Sequence, residues 1–377
     1  MNGRNFFFAG GGTGGHIYPS IAVAEQIAKF EPKTKIHFFI SERSIDKQIL
    51  SKTRFEYSSL PATGFSIRPG KLIGFCTSFL NSLRIAKRTI AECKSAVVIG
   101  VGGFIAAPVC LAAHKLKVPV ALLNVDIVPG RANKIISRWA NEIFLQFEDT
   151  RQYFVKRKAN INVVGCPLRS GFENPEPDKV KNELGLDKNK KTLLITGASS
   201  GSENINRTVC SLLDKLASFA DDWQIVHLTG NANYDKVKQK YTKAKIGHKV
   251  LSYFDDMPNL LAASDLVVGR SGAVSVAEYA AASVPSICMP YPYHKDKHQY
   301  LNAGKLVEVG AAVIVDDLPD EQERQGWLWE ELEELMKNET KLREMRQACK
   351  SIARLEAGLK IKEKLLQMLN NGPKGQQ

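Results

Sequence analysis

The chain has 377 residues, 44% of them apolar and 24% charged, enough for two or three domains with cores of their own and outside the disordered and fibrous classes. Its formal net charge of +13 points to anionic partners such as phosphorylated small molecules or an acidic lipid surface; the lysines are scattered and no basic run has the length of a nucleic-acid tail, so no nucleic acid is expected. Seven dispersed cysteines with no C-x-x-C pair argue against zinc-ribbon and redox-motif chemistry and fit free thiols in a reducing cytoplasm.

The N-terminus lacks the charged, apolar and cleavage regions of a signal peptide. "NFFFAG" (5–10) reads as a buried strand, "GGGTGGH" (10–16) as a glycine turn, and "PSIAVAEQIAKF" (19–30) as a helix with Pro19 near its first turn. Glycine is costly to order and adds no packing, so this density predicts that something bulky approaches the backbone. "KIHFFIS" (35–41) is the next strand. Gly10, Gly12 and Gly15, with Glu42 near the end of that strand, also satisfy the dinucleotide fingerprint, which keeps an NAD-type oxidoreductase open as an alternative. In residues 70–89, Leu72, Ile73, Phe75, Phe79 and Leu80 stand among Lys71, Arg84, Lys87 and Arg88. This is either an apolar patch flanked by cations, suited to an anionic membrane surface, or an amphipathic core helix. "AVVIGVGGFIAAPVCLAA" (96–113) approaches membrane-spanning length, but Gly100, Gly102, Gly103 and Pro108 interrupt it, and strand, glycine turn and helix fit better. That second glycine turn could cradle phosphate or serve a tight strand–helix crossing. "VPVALLNV" (118–125) is a further strand.

The plan restarts at "TLLITGASSGSENINRTVCSLLDKL" (192–216), followed by strands in "WQIVHLTGN", "DLVVGRSG" and "SICMPYP". Continuous apolar strands alternating with helices predict an α/β fold of two doubly wound, Rossmann-like domains, 1–167 and 168–349, with ligands in a central cleft beyond the strand ends. Residues 321–369 read as helical, and the stretch at about 350–370 is expected to pack back on the first domain. In "GRSGAVSVAEYAAASVP" (269–285) a turn at Ser271 and Gly272 opens a small-residue helix whose first N–H groups suit a diphosphate, and Glu278 could accept from ribose hydroxyls. His294, His298, Gln299 and Asn302 (within 290–306) suit a polyhydroxylated ligand; the two histidines lack a third partner, so no metal is expected.

Taken in order from "AGGGTGGHIYPSIAVA" through "GASSG", "RSGA" and "HQYLNA" to "GAAVIVDD", these segments resemble the MurG family of GT-B glycosyltransferases. That family adds N-acetylglucosamine to undecaprenyl-diphospho-muramoyl-pentapeptide in peptidoglycan synthesis. The resemblance implies a UDP-N-acetylglucosamine donor, a lipid-linked muramoyl-peptide acceptor, no cofactor, and a peripheral position at the cytoplasmic face of the membrane. It implies transfer to the acceptor C4 hydroxyl with His16 beside the chemistry; a histidine at the mouth of a glycine turn needs a hydrogen-bond partner, and as an imidazole able to take the hydroxyl proton near pH 7 it is the expected general base of an inverting reaction. Thr13, Gly14 and Gly15 would line the site, with Asp126 and Arg169 as substrate contacts. Ser199 would meet the diphosphate, the backbone at Phe254 would read uracil, Ala273, Val274, Ser275, Val276, Ala277 and Glu278 would hold phosphate and ribose, and Gln299 the sugar hydroxyls. Where the family carries His-Glu-Gln-Asn, this chain has Leu123, Asn124, Val125 and Asp126; Cys166 and Ser200 are further departures. A related GT-B enzyme or a UDP-sugar epimerase is the other alternative.

Overall fold

The uninterrupted apolar runs become strands covered on both faces, as parallel sheets require. In the computed structural model, which describes residues 4–371 apart from 13, 62, 63, 65–68 and 94, the chain forms two units, Met1–Arg169 with Glu356–Gln377, and Ser170–Leu355.

The first unit is built on a seven-stranded sheet. Its strands are β1 (Asn5–Gly10), β2 (Lys35–Ser41), β3 (Glu56–Leu60), β4 (Ala96–Gly102), β5 (Val120–Asn124), β6 (Glu142–Leu145) and β7 (Asn160–Val163). The order is β3-β2-β1-β4-β5-β6-β7, every pair parallel. β1, β4, β5 and β6 are buried along their whole length, whereas the edge strand β7 is partly exposed throughout. The apolar stretch at 96–113 resolves into β4, a glycine turn and the helix Ala106–Lys115, and no helix among the described residues is long and apolar enough to cross a membrane. One expectation is corrected. The first helix starts at Gly14, so Pro19 lies inside it rather than near its first turn. β1 runs to Gly10, and Gly14 and Gly15 take helical backbone as readily as turn backbone. Pro19 lies past the opening N–H groups that have no partner within the helix, so its ring removes the bond a residue there would give to the Gly15 carbonyl.

The second unit repeats the plan with β8 (Lys191–Thr196), β9 (Trp223–Leu228), β10 (Gly247–Leu251), β11 (Leu266–Gly269), β12 (Ser286–Cys288) and β13 (Ala312–Ile314), ordered β10-β9-β8-β11-β12-β13. Each unit has its own buried cluster: Phe7, Phe39, Val98, Leu122 and Phe154 belong to the first, and Ile195, Trp223, Ile225, Leu328 and Leu332 to the second. The helix Glu339–Ile352 stays with the second unit, where the Cys349 thiol donates to the Val284 carbonyl at 3.6 Å. The helix Ala357–Asn371 belongs to the first unit, packing against the helix Gly14–Phe30 with the Lys362 ammonium 4.1 Å from the centre of the Phe30 ring.

Candidate active site

In the first unit the two glycine turns lean on each other at the C-terminal ends of β1 and β4. The pairing slips between Ala9 and Gly10, so that Gly10 faces Gly102, a bulge that re-aims the strand end. Gly103 has φ +80°, and a Cβ there would lie 2.6 Å from the Gly11 carbonyl oxygen. Gly102 has φ +132°, and its Cβ would lie 2.8 Å from His16 Nε2. The bulk that approaches the Gly10–Gly12 backbone is therefore, in part, the protein itself. Asp46, fully buried, packs against Gly11 and accepts from the Gly12 N–H at 2.8 Å, the Ser41 N–H at 3.1 Å and the Ser41 hydroxyl. Arg43 donates to the Gly12 carbonyl at 2.7 Å.

His16, half-buried in the first turn of the helix Gly14–Phe30, has its Nδ1 3.1 Å from the Gly11 carbonyl oxygen. A carbonyl can only accept, so Nδ1 carries the proton and Nε2 becomes the acceptor of the neutral ring. Beside Nε2 is Asn133, whose Oδ1 lies 3.4 Å from the same Cβ position on Gly102 and is buried without a hydrogen-bond partner. The Asn133 amide donates to Asn124 Oδ1 at 2.9 Å, and the Asn124 amide to the Asp126 carbonyl at 2.7 Å. The departing segment 123–126 is thus tied inward by an asparagine pair, and Asp126 enters through its main chain. Arg169 stacks its guanidinium 4.5 Å over the ring of Tyr18, two residues beyond His16. Gly14 is buried and Gly15 half-buried at the helix start; Thr13 lies outside the described residues.

In the second unit, the 198–201 turn after β8 contains Ser199 and abuts Gly230. Gly201 (φ +74°) and Gly230 (φ +76°) each occupy space that a side chain would take from the other's backbone. The Gly230 N–H donates to the Ser252 carbonyl at 3.0 Å, which brings the segment of Phe254 alongside. After β11, Gly272 caps the helix Ala273–Ala281 in extended backbone with no side-chain cap. Ser271, fully buried, has a hydroxyl without a hydrogen-bond partner. The Val276 N–H is spent on the Gly272 carbonyl at 3.0 Å and its side chain is in the core. Val274, Ser275, Ala277 and Glu278 are half-buried, while Ala273 is buried. The polar groups this stretch offers are therefore the first-turn amides and the Glu278 carboxylate. Gln299 opens the helix His298–Val307, its Oε1 accepting from the Tyr291 N–H at 2.9 Å. His294 and His298 stack with ring centres 4.2 Å apart, and His298 Nδ1 lies 2.7 Å from Asp296. Burial would raise the Asp296 carboxyl, and the hydrogen bonds and charge of His298 overcome that and hold it below its ordinary range.

The 70–89 segment lies in the helix Pro69–Ala91. Ile73 is 66% exposed, Leu72 and Leu80 are also exposed, Phe75 and Phe79 are half-buried with ring centres 6.0 Å apart, and Arg84, Lys87 and Arg88 are exposed. No group of three or more His, Cys, Asp or Glu side chains among the described residues is arranged to hold a metal ion.

Residues 6–145 match the model of the glycosyltransferase family 28 N-terminal domain, and residues 192–361 that of the family 28 C-terminal domain. A relative in Acetivibrio thermocellus, named UDP-N-acetylglucosamine–N-acetylmuramyl-(pentapeptide) pyrophosphoryl-undecaprenol N-acetylglucosamine transferase, is 34% identical over 97% of this chain and 99% of its own length. The chain belongs to the MurG family. A Bacillus subtilis member with the same name is 31% identical over 94% of this chain and 96% of its own. The crystal structure of Acinetobacter baumannii MurG superposes with a TM-score of 0.70 at 23% identity, covering 97% of this chain and 99% of that one, which establishes the shared GT-B fold. Membership makes the chain a glycosyltransferase and sets aside the oxidoreductase alternative. Among the residues that hold these turns in this structure, sequence reasoning missed Asp46, Asn133 and Arg270. Of the three, Arg270 alone sits inside a segment singled out above, "GRSGA".

Proposed function

We propose that this chain transfers N-acetylglucosamine from UDP-N-acetylglucosamine to the C4 hydroxyl of undecaprenyl-diphospho-N-acetylmuramoyl-peptide, with inversion at the anomeric carbon. The end-to-end relationship to proteins of that name carries the reading, and the geometry of both units accords with it. His16 Nε2 takes the hydroxyl proton as the oxygen attacks, and the Gly11 carbonyl bonded to Nδ1 fixes the tautomer and steadies the ring. The bond from the anomeric carbon to the diphosphate oxygen breaks, and charge builds on the leaving group. The first-turn amides of the helix Ala273–Ala281 and the Ser271 hydroxyl meet that charge; each preorganised donor of this kind is worth roughly 3–4 kcal/mol. Glu278 accepts from the ribose hydroxyls and so sets the register of the scissile bond, while the Gln299 amide reads the sugar. The enzyme works at the cytoplasmic face of the membrane as a peripheral protein, held by the apolar face and flanking cations of the helix Pro69–Ala91.

The deciding experiment incubates the protein with UDP-N-acetylglucosamine and a lipid-linked muramoyl-peptide acceptor and follows acceptor mass. One added N-acetylhexosamine with equimolar UDP is expected. No product, or donor conversion without acceptor, overturns the assignment.

A further inference from the structure

Arg270 is buried at 8% exposure immediately before the phosphate turn, and its guanidinium is divided among three segments. One nitrogen donates to the carbonyls of Met289 at 2.8 Å and Pro290 at 3.1 Å. The next residue, Tyr291, gives its N–H to Gln299. The other nitrogen donates to the Ser202 hydroxyl at 2.7 Å. Ser202 caps the helix Glu203–Ser211 directly after the 198–201 turn. The Arg270 peptide itself leads into Ser271 and the helix Ala273–Ala281, and its carbonyl accepts from the Tyr279 hydroxyl at 3.0 Å. A single cation thus bolts together the turn, the helix start and the sugar loop.

What fixes the cation is Asp317. Its Oδ2 accepts from Arg270 at 2.7 Å and its Oδ1 from the Asn204 amide at 2.9 Å, with its side chain fully buried. A second buried guanidinium, Arg324, lies 3.8 Å from Oδ1 and is anchored on the Thr208 hydroxyl at 2.8 Å and the Leu318 carbonyl. The cluster carries two positive charges against one negative, beside a helix N-terminus. Removing a carboxylate from such a pair leaves buried charge without compensation, so the orientation of Arg270 depends on Asp317.

We propose that Asp317 is a positioning residue for the donor site: through Arg270 it holds the 198–201 turn, the start of the helix Ala273–Ala281 and the Tyr291–Gln299 loop in register for a nucleoside diphosphate-sugar. This rests on the donor assignment above. Asp317→Asn keeps the volume and one acceptor oxygen but removes the charge. It should weaken UDP binding in calorimetry, and raise the donor KM, by about tenfold to a hundredfold, the usual consequence of displacing groups by an ångström, with the acceptor KM unchanged. Asp317→Glu should recover part of the loss. Asp265→Asn is the matched control, because Asp265 also pairs with an arginine (Arg346, 3.0 Å) but lies before β11, at the other end of the strand; it should lower stability and leave UDP affinity unchanged. If Asp317→Asn does not fold, Ser202→Ala, which removes one of the Arg270 bonds and spares the charges, should weaken UDP binding severalfold. Wild-type UDP affinity in a folded Asp317→Asn, or in Ser202→Ala, overturns the positioning role. Wild-type protein that does not bind UDP at all overturns the donor assignment instead.

Discussion

His16 shows how a residue's chemistry is decided by its neighbour's backbone. The Gly11 carbonyl at Nδ1 makes Nε2 the acceptor, and the missing side chain at Gly102 leaves Nε2 room. His16→Ala should lower turnover about a hundredfold or more, the scale of general-base catalysis, with UDP affinity unchanged because the proposed diphosphate contacts are all in the other unit. Steady-state UDP release would measure it, and wild-type turnover would remove His16 from the mechanism. The candidate histidine was legible because an imidazole in a glycine turn needs a partner. The identity of that partner was not, since it is a main-chain oxygen and sequence does not reveal which carbonyl points where. The same limit hid Asp46: nothing in "SERSID" signals that one carboxylate will reach back to the loop between β1 and its helix. Glycine density announced a close approach, yet the Gly11 and Gly103 neighbours are the protein's own atoms, a distinction composition does not carry.

Between elements, the glycine turn depends on the segment after β2 as much as on its own residues. Asp46 accepts from Gly12 and twice from Ser41, and Arg43 closes the loop from outside. Asp46→Asn would turn an amide group toward those donors and leave a buried N–H unsatisfied, at a cost of about 1–3 kcal/mol. A lower melting temperature together with reduced turnover is expected; a variant as stable and active as wild type would show that the clamp is dispensable. The helix Pro69–Ala91 divides its apolar residues: Ala86 and Ile90 enter the core with Phe79 and Leu83 packed against it, while others stay outside. Leu72, Ile73 and Leu80 are exposed beside Arg84, Lys87 and Arg88. Ile73→Asp should reduce co-sedimentation with anionic vesicles while leaving turnover on a short-chain, water-soluble acceptor intact. Undiminished co-sedimentation would make the face structural. Element types were readable because parallel strands buried on both sides leave unbroken apolar runs. The start of the first helix was not, because Gly14 and Gly15 satisfy helix and turn equally and the observed boundary is set by where β1 ends.

At the scale of the whole chain, two sheets with separate cores imply that stability is a property of each unit, and pH offers a way to see it. His227 in β9 is completely buried, its ring nitrogens 2.9 Å from the Tyr241 hydroxyl and 3.0 Å from Asn206 Oδ1. Burial drives its pKa down to about 3, against about 6.5 in an unfolded chain. Between those values the unfolded chain binds a proton that the folded one refuses, so stability is complete above about pH 6.5 and falls as pH drops toward 3, by up to about 1.4 kcal/mol per unit from this one group. The loss belongs to the Ser170–Leu355 unit, in which Asn206 also holds the Thr229 carbonyl at 2.9 Å beneath the Gly201–Gly230 contact. Denaturant titrations followed by hydrogen exchange between pH 5 and 7 should show amides of β8 and β9 losing protection in acid earlier than those of β1 and β4. In His227→Gln, whose amide has no proton to gain, that slope should shrink even though the variant is less stable at neutral pH. An unchanged slope in the variant would place the acid sensitivity of the second unit elsewhere.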